Sequence, residues 1–124
     1  MQKVMDNYAG GIKTNYKYNE AGLAIAAEEI ARLNILADDL HADSMHELLF
    51  IHELKDRLTI CAFLIKHMLA RKETRWHSFA ENLDYPEKDD RNFNKYVNSR
   101  LENGEIKIII RDLVTGGEKY EHSN

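Results

Sequence analysis

From Asp43 or Ser44 to about Trp76 the chain carries one helical pattern of roughly 33 residues, opened by Glu47 in its first turn. At 1.5 Å per residue such a helix extends ~48 Å, whereas a compact domain of this length has a radius of gyration of only ~14 Å. A helix of that length outreaches the domain that carries it. Its second half, with Ala62, Ile65, Met68 and Leu69, therefore needs cover from another element or another chain.

The rest of the chain supplies part of that cover. Gln2 to Tyr8 predicts a short helix stopped by Gly10-Gly11, and Ile12 to Tyr18 an irregular, tyrosine-bearing connector. Asn19 is placed to cap a second helix of about 20 residues, long enough for ~30 Å. Leu23, Ala26, Ile30, Leu33 and Ala37 recur on it at three- and four-residue intervals and form one apolar stripe. Asp38 to Asp43 reads as the turn into the long helix. Further on, Pro86 and the polar run from Ser78 forbid helix. Phe93 to Leu101 and Ile106 to Leu113 then flank Asn103-Gly104, the strongest short signal for a β-hairpin. Ile106, Ile108 and Ile110 share one face, and an isolated hairpin is only marginally stable, so that face needs the long helix or a sister subunit to pack on. The expected fold is mainly α: an antiparallel bundle of a short, a middle and a very long helix, followed by a small C-terminal hairpin. It forms a single domain over 1–124, with a helical part at 1–77, an acidic loop at 78–93, a hairpin at 94–113 and a loose polar tail at 114–124.

Composition excludes several functions. A net charge of -4 and a pI near 5.8 argue against a nucleic-acid partner, which would select a basic face. The longest apolar run, Ile60 to Ile65, falls far below the ~20 residues that a membrane span needs, so no direct membrane insertion is expected. The N-terminus has no apolar signal core and the single Cys61 cannot form an internal disulfide, which points to the cytoplasm. Cys61, mid-helix between Leu58 and Ala62, reads as a core residue and not as a nucleophile. His46-Glu47 and His52-Glu53 each begin like a zinc-protease helix but lack the second histidine at the fifth position, so no metal ligands are assigned. Gly10-Gly11 and Gly116-Gly117 lack the G-x-G-x-x-G frame that brings backbone against a pyrophosphate. The residues thus give no catalytic set and no cofactor-binding set.

The chemistry concentrates between Ala70 and Asp90. His67, Arg71 and Arg75, spaced by four, would stack on a helix as a basic stripe near its C-terminal end. They could hold an anion, or simply offset the helix dipole by about 0.3–1 kcal/mol each. Arginine suits bidentate pairing with a carboxylate, and Glu73 and the aspartates of the next loop are candidates for that partner. Pro86 biases Tyr85 toward an extended conformation, so Asp84 to Lys95 reads as an arm with Tyr85 and Phe93 as apolar anchors at its ends.

Arg71-Lys72-Glu73-Thr74-Arg75 followed by Asp84-Tyr85-Pro86-Glu87 resembles the Arg-Glu-Ser-Arg and Asp-Tyr-Pro segments of the C-terminal helical domain in flavoprotein subunits of the fumarate reductase/succinate dehydrogenase superfamily, which includes aspartate oxidase. Many relatives have glycine where Trp76 stands. An aromatic there, followed by Asp-Tyr-Pro-Glu and Asp89-Asp90, is most similar to the adenylylsulfate (APS) reductase alpha-subunit branch. The likeness extends less sharply to Gln2–Gly11 and His46-Glu47-Leu48, and is weakest over the last dozen residues.

The resemblance implies an excised or truncated C-terminal domain of an FAD-dependent oxidoreductase. The nucleotide-binding half and the substrate-reducing residues of such a parent lie upstream, so this fragment alone is expected to hold no cofactor and to be inactive. The domain would brace the flavin-binding domain of the parent chain and contribute to the interface with an iron-sulfur subunit. Arg71, Glu73, Arg75, Trp76, Tyr85 and Phe93 are the candidate interface or anion-pairing residues. The competing reading is a free-standing helical interaction domain with no cofactor.

Overall fold

The two long helices begin where a side chain can take an amide that the first turn leaves unpaired. In the computed structural model, which describes residues 1–76 and 80–114, α1 (Gln2–Tyr8) leads through a 3-10 turn (Ile12–Thr14) and a two-residue strand β1 (Lys17–Tyr18) into α2 (Glu20–Asp38). Asn19 caps α2, its side chain accepting from the Gly22 amide at 2.7 Å. The Ser44 hydroxyl does the same for α3 (Met45–Ala70), accepting from the Glu47 amide at 3.2 Å, while the Glu47 carboxylate takes the Asp43 amide at 2.8 Å.

The core lies along the α2–α3 seam. Leu23, Ala26, Ile30 and Ala37 of α2 close on Leu58 and Ile65 of α3, all buried. Leu33, the fifth residue of the expected stripe, is partly buried against them, as are Cys61, Met68 and Leu69. Val4 and Met5 of α1 cover the proximal part of the seam. At 26 and 19 residues α3 and α2 extend ~39 and ~29 Å, so the long helix does overshoot its partner.

The remaining elements serve the C-terminal end of α3. β2 (Glu81–Asn82) pairs in parallel with β1, α4 (Asp90–Phe93) is a single turn, and β3 (Lys95–Glu102) and β4 (Glu105–Asp112) form an antiparallel hairpin. Asn103 and Gly104, both at positive φ (51° and 82°), make the two-residue connection, a conformation that glycine adopts without strain. Val97, Ser99 and Leu101 face the same way as their cross-strand partners Ile110, Ile108 and Ile106. That face rests on α3, where Ser99 Oγ lies 2.7 Å from His67 Nε2. The hairpin thus supplies the cover that the long helix was expected to need.

The architecture is the expected one, mainly α with a terminal hairpin, but α3 stops at Ala70 and not near Trp76. Arg71 is extended (φ -99°, ψ 99°) and only its amide, bonded to the His67 carbonyl at 3.2 Å, still belongs to the helix. His67, Arg71 and Arg75 therefore do not form a helical stripe. The expected loose tail over Thr115 to Asn124 lies outside the described residues.

Candidate functional site

The reason for the early stop is in the sequence Arg71-x-Glu73-x-Arg75. On a helix, residues two apart point to different faces, so Glu73 could not meet both arginines. Past Arg71 the chain leaves the helix and bends at Glu73 and again at Arg75. By leaving the helix at Arg71 the chain brings both guanidinium groups onto one carboxylate.

Glu73 is the centre of the site and only 2% exposed. Arg75 grips it bidentately, Nε to Oε1 at 2.8 Å and Nη2 to Oε2 at 3.0 Å. Arg71 Nη1 donates to Oε1 at 2.5 Å and the Asp89 amide to Oε2 at 2.9 Å. Four donors thus converge on two oxygens, and both guanidinium groups are themselves largely covered. Burial pushes the Glu73 carboxyl up, but the hydrogen bonds from Arg75, the Asp89 amide and Arg71 outweigh it and hold the group below the usual glutamate range. A buried charge is tolerable only when paired in this way, and removing one partner of such a set costs about 3–5 kcal/mol.

The arginines then reach outward. Arg75 Nη1 donates to Asp90 at 2.8 Å. Arg71 donates to the backbone carbonyls of Phe93 and Lys95 at 3.0 Å each, which ties the start of β3 to the end of α3. Between the arginines, Thr74 is buried; its hydroxyl donates to the Tyr85 carbonyl at 2.9 Å and accepts from the Asn82 amide at 2.9 Å. Its own amide donates to the Glu87 carbonyl at 3.1 Å. The next segment is fastened to the front of the bundle too: the Glu81 and Leu83 amides donate to the Tyr16 and Tyr18 carbonyls, and the Glu20 amide to Asp84 at 2.6 Å. Residues 80–95 form a strap, clamped at α3 by Glu73 and at α2 by Asp84.

Of the six candidate residues, Arg71, Glu73 and Arg75 meet in this cluster, and the carboxylates that hold the arginines are Glu73 and Asp90 of this same chain. Tyr85 is partly covered, its ring 5.5 Å from the Lys72 ammonium, which also pairs with Glu20. Phe93 is also partly covered. Trp76 is different: it stands beside the cluster 68% exposed. Asp90 is one of the loop aspartates named as candidate partners, whereas Thr74 and Asn82 belong to the site and were not assigned a role from the sequence. The legible signal was the period of two in Arg-x-Glu-x-Arg.

Cys61 is half-buried in the seam, and its burial pushes the thiol pKa up. Gly11 does not cradle an anion from elsewhere: a Cβ there would lie 2.3 Å from the Asp6 carboxylate. That turn already faces a negative charge, so it does not fit a flavin pyrophosphate. Among the described residues no group of three or more His, Cys, Asp or Glu side chains is placed to hold a metal. No helix among them is long and apolar enough to cross a membrane.

A helix pair followed by a strap and a hairpin makes a mainly α domain, and that domain has known relatives. The profile of the fumarate reductase flavoprotein C-terminal domain matches residues 1–121, and the chain belongs to that family. The adenylylsulfate reductase alpha subunit of Megalodesulfovibrio gigas is 30% identical over 100 residues, covering 81% of this chain and 15% of that protein. The structure of adenylylsulfate reductase from Archaeoglobus fulgidus superposes with a TM-score of 0.88 at 38% identity, over 92% of this chain and 18% of that one. The FrdA chain of E. coli quinol fumarate reductase shares the fold, with a TM-score of 0.79 at 20% identity over 92% of this chain and 20% of its own. The chain thus spans less than a fifth of the length of the adenylylsulfate reductase chains it matches.

Proposed function

We propose that this chain is the C-terminal domain of a cytoplasmic, FAD-dependent oxidoreductase subunit of the adenylylsulfate reductase type. In that role it braces the flavin domain and contributes to the contact with an iron-sulfur subunit. The observation that carries the reading is the 38% identity to the adenylylsulfate reductase structure across nearly the whole chain, against 20% to fumarate reductase. The substrate of the whole enzyme is then adenylylsulfate, or sulfite with AMP, ahead of fumarate or succinate.

The geometry supports a bracing role. The Arg71-Glu73-Arg75 cluster converts the end of α3, the strap and the base of the hairpin into one unit, and a rigid unit can hold a neighbouring domain in register. Among the described residues Trp76 is the most exposed large apolar side chain of this unit, ahead of Leu83 and Tyr96, and an amphipathic aromatic of the kind enriched at contact surfaces. Tyr85 and Phe93, both partly covered, are the further candidate contact residues of the strap. The flavin belongs to the part of the parent that supplies the phosphate cradle.

The test begins with the reading frame upstream of Met1. A continuous frame with a G-x-G-x-x-G fingerprint after a strand, whose product purifies with one FAD per chain, is the expected result. In that product Trp76→Ala should loosen the iron-sulfur subunit and leave bound flavin unchanged. A ribosome-binding site and a stop codon directly before Met1, with a colourless product, would instead assign the free-standing interaction domain.

A further inference from the structure

The turn of the hairpin carries a reactivity that neither the cluster nor the fold uses. Asn103 is the only asparagine that precedes glycine; Asn124 aside, the others precede Tyr, Glu, Ile, Leu, Phe, Lys or Ser. A side chain on the following residue crowds its backbone nitrogen, and glycine has none. Asn103 and Gly104 are both exposed, and a Cβ built on Gly104 meets nothing within 4 Å. Other asparagines are engaged: the Asn19 carboxamide caps α2, Asn82 accepts from the Asp84 amide and Asn92 donates to Asp89. Among the described residues the Gly104 amide has no backbone acceptor, so its nitrogen is open to the adjacent carboxamide.

We propose that Asn103-Gly104 is a self-modification site, at which the folded chain converts Asn103 to aspartate or isoaspartate with water as the only co-reactant. Asparagine is among the residues prone to such loss. The Gly104 nitrogen bonds to Asn103 Cγ and gives up its proton to solvent, while ammonia leaves the same carbon with a proton regained from solvent. Water then opens the resulting cyclic imide at either carbonyl. Breaking the new C–N bond gives aspartate; breaking the original peptide bond gives isoaspartate, in which the main chain runs through the side chain. No electrons are transferred. A two-residue loop sets the register of the strands it joins, here Glu102 opposite Glu105. Isoaspartate lengthens that loop by one backbone carbon. Either product also adds a carboxylate between Glu102 and Glu105, where Arg100 and Lys107 already pair with Glu102. The half of the hairpin next to the turn should therefore loosen, whereas Arg71 still ties the base of β3 to the end of α3. The element that covers α3 thus carries its own slow release.

The test holds the 124-residue chain folded in mildly alkaline buffer and samples it over weeks. Trypsin, cutting after Arg100 and Lys107, releases peptide 101–107, in which Asn103 is the only asparagine. That peptide should pass from its asparagine form to the aspartate and isoaspartate forms, the second revealed by isoaspartyl methyltransferase, as ammonia is released toward one per chain. Asn103→Gly, which keeps a two-residue turn of the same type, should leave this peptide unchanged. In the aged chain hydrogen exchange should speed along the half of the β3–β4 ladder next to the turn, while Leu58 and Ile65 stay protected. The aged Asn103→Gly chain should show no such change. An unmodified peptide 101–107, after a time in which the free peptide of that sequence has fully converted, would overturn the proposal. So would earlier modification of another asparagine, or complete conversion with hairpin exchange unaltered.

Discussion

The two ends of the helix pair solve opposite problems. At the C-terminal end of α3 a fully buried carboxylate is surrounded by four donors, and the strap and hairpin are fastened to it. At the other end Met45 is 81% and Ile35 70% exposed, and Leu36, Leu40, Leu48 and Leu49 are exposed as well. One end spends polar side chains on locking its own backbone, and the other leaves apolar side chains unmatched. The difference teaches where each kind of residue acts: the charged motif that looks available to a partner is satisfied internally, whereas the plain aliphatic helix is the open surface.

Glu73→Ala should have the largest effect. It leaves two partly buried guanidinium groups and the Asp89 amide without their acceptor, and should lower unfolding free energy by about 3 kcal/mol or more in a denaturant titration. A loss below about 1 kcal/mol would mean that water replaces the carboxylate and that the cluster is no lock.

Acid should release the same end more gently. Because the folded Glu73 carboxyl is held below its usual range, its contribution is fully present above the unfolded glutamate pKa of about 4.3 and is lost as pH falls through the folded value. Stability should therefore be level from neutral pH to about 5 and fall below it, and Glu73→Gln should flatten that fall. Part of the slope should survive in the variant, since Asp90, paired with Lys88 and Arg75, is also held below its usual range. An identical pH profile for the variant would contradict the assignment.

The tip should be nearly silent by the same assays. Met45→Ser or Leu49→Ser should change unfolding free energy by no more than about 0.5 kcal/mol, because both side chains are already in water. A loss above about 1 kcal/mol would show that these residues pack against other side chains in solution.

The fold was largely legible because its signals are local. The Leu23 to Ala37 stripe, the Asn19 and Ser44 caps and the Asn103-Gly104 turn each act within a few residues and agree with one another. The end of α3 was not legible from helical spacing, because His67, Arg71 and Arg75 fit a period of four as well as Arg71, Glu73 and Arg75 fit a period of two. What decides between them is the acceptor set that the strap brings from residues 82–95, a long-range contribution that helix periodicity does not contain. The residues of the cluster were visible by type, as arginines seeking a carboxylate. Thr74 and Asn82 were not, since a threonine and an asparagine in a polar run carry no mark of burial. The resemblance to flavoprotein subunits rests on Arg71-Lys72-Glu73-Thr74-Arg75 and Asp84-Tyr85-Pro86, so the family signature contains the residues of the structural lock.

Hydrogen exchange tests the lock most directly. The amides of Thr74, Asn82 and Asp89 donate to Glu87, to Thr74 and to Glu73, and none lies within a long helix or the hairpin. If the cluster fixes the strap to α3, these three amides should exchange only as slowly as the α2–α3 core opens, and Arg75→Lys should speed all three together while leaving the amides of Leu58 and Ile65 unchanged. Rapid exchange at Asp89 and Asn82 in the unaltered chain, with the core still protected, would contradict the account.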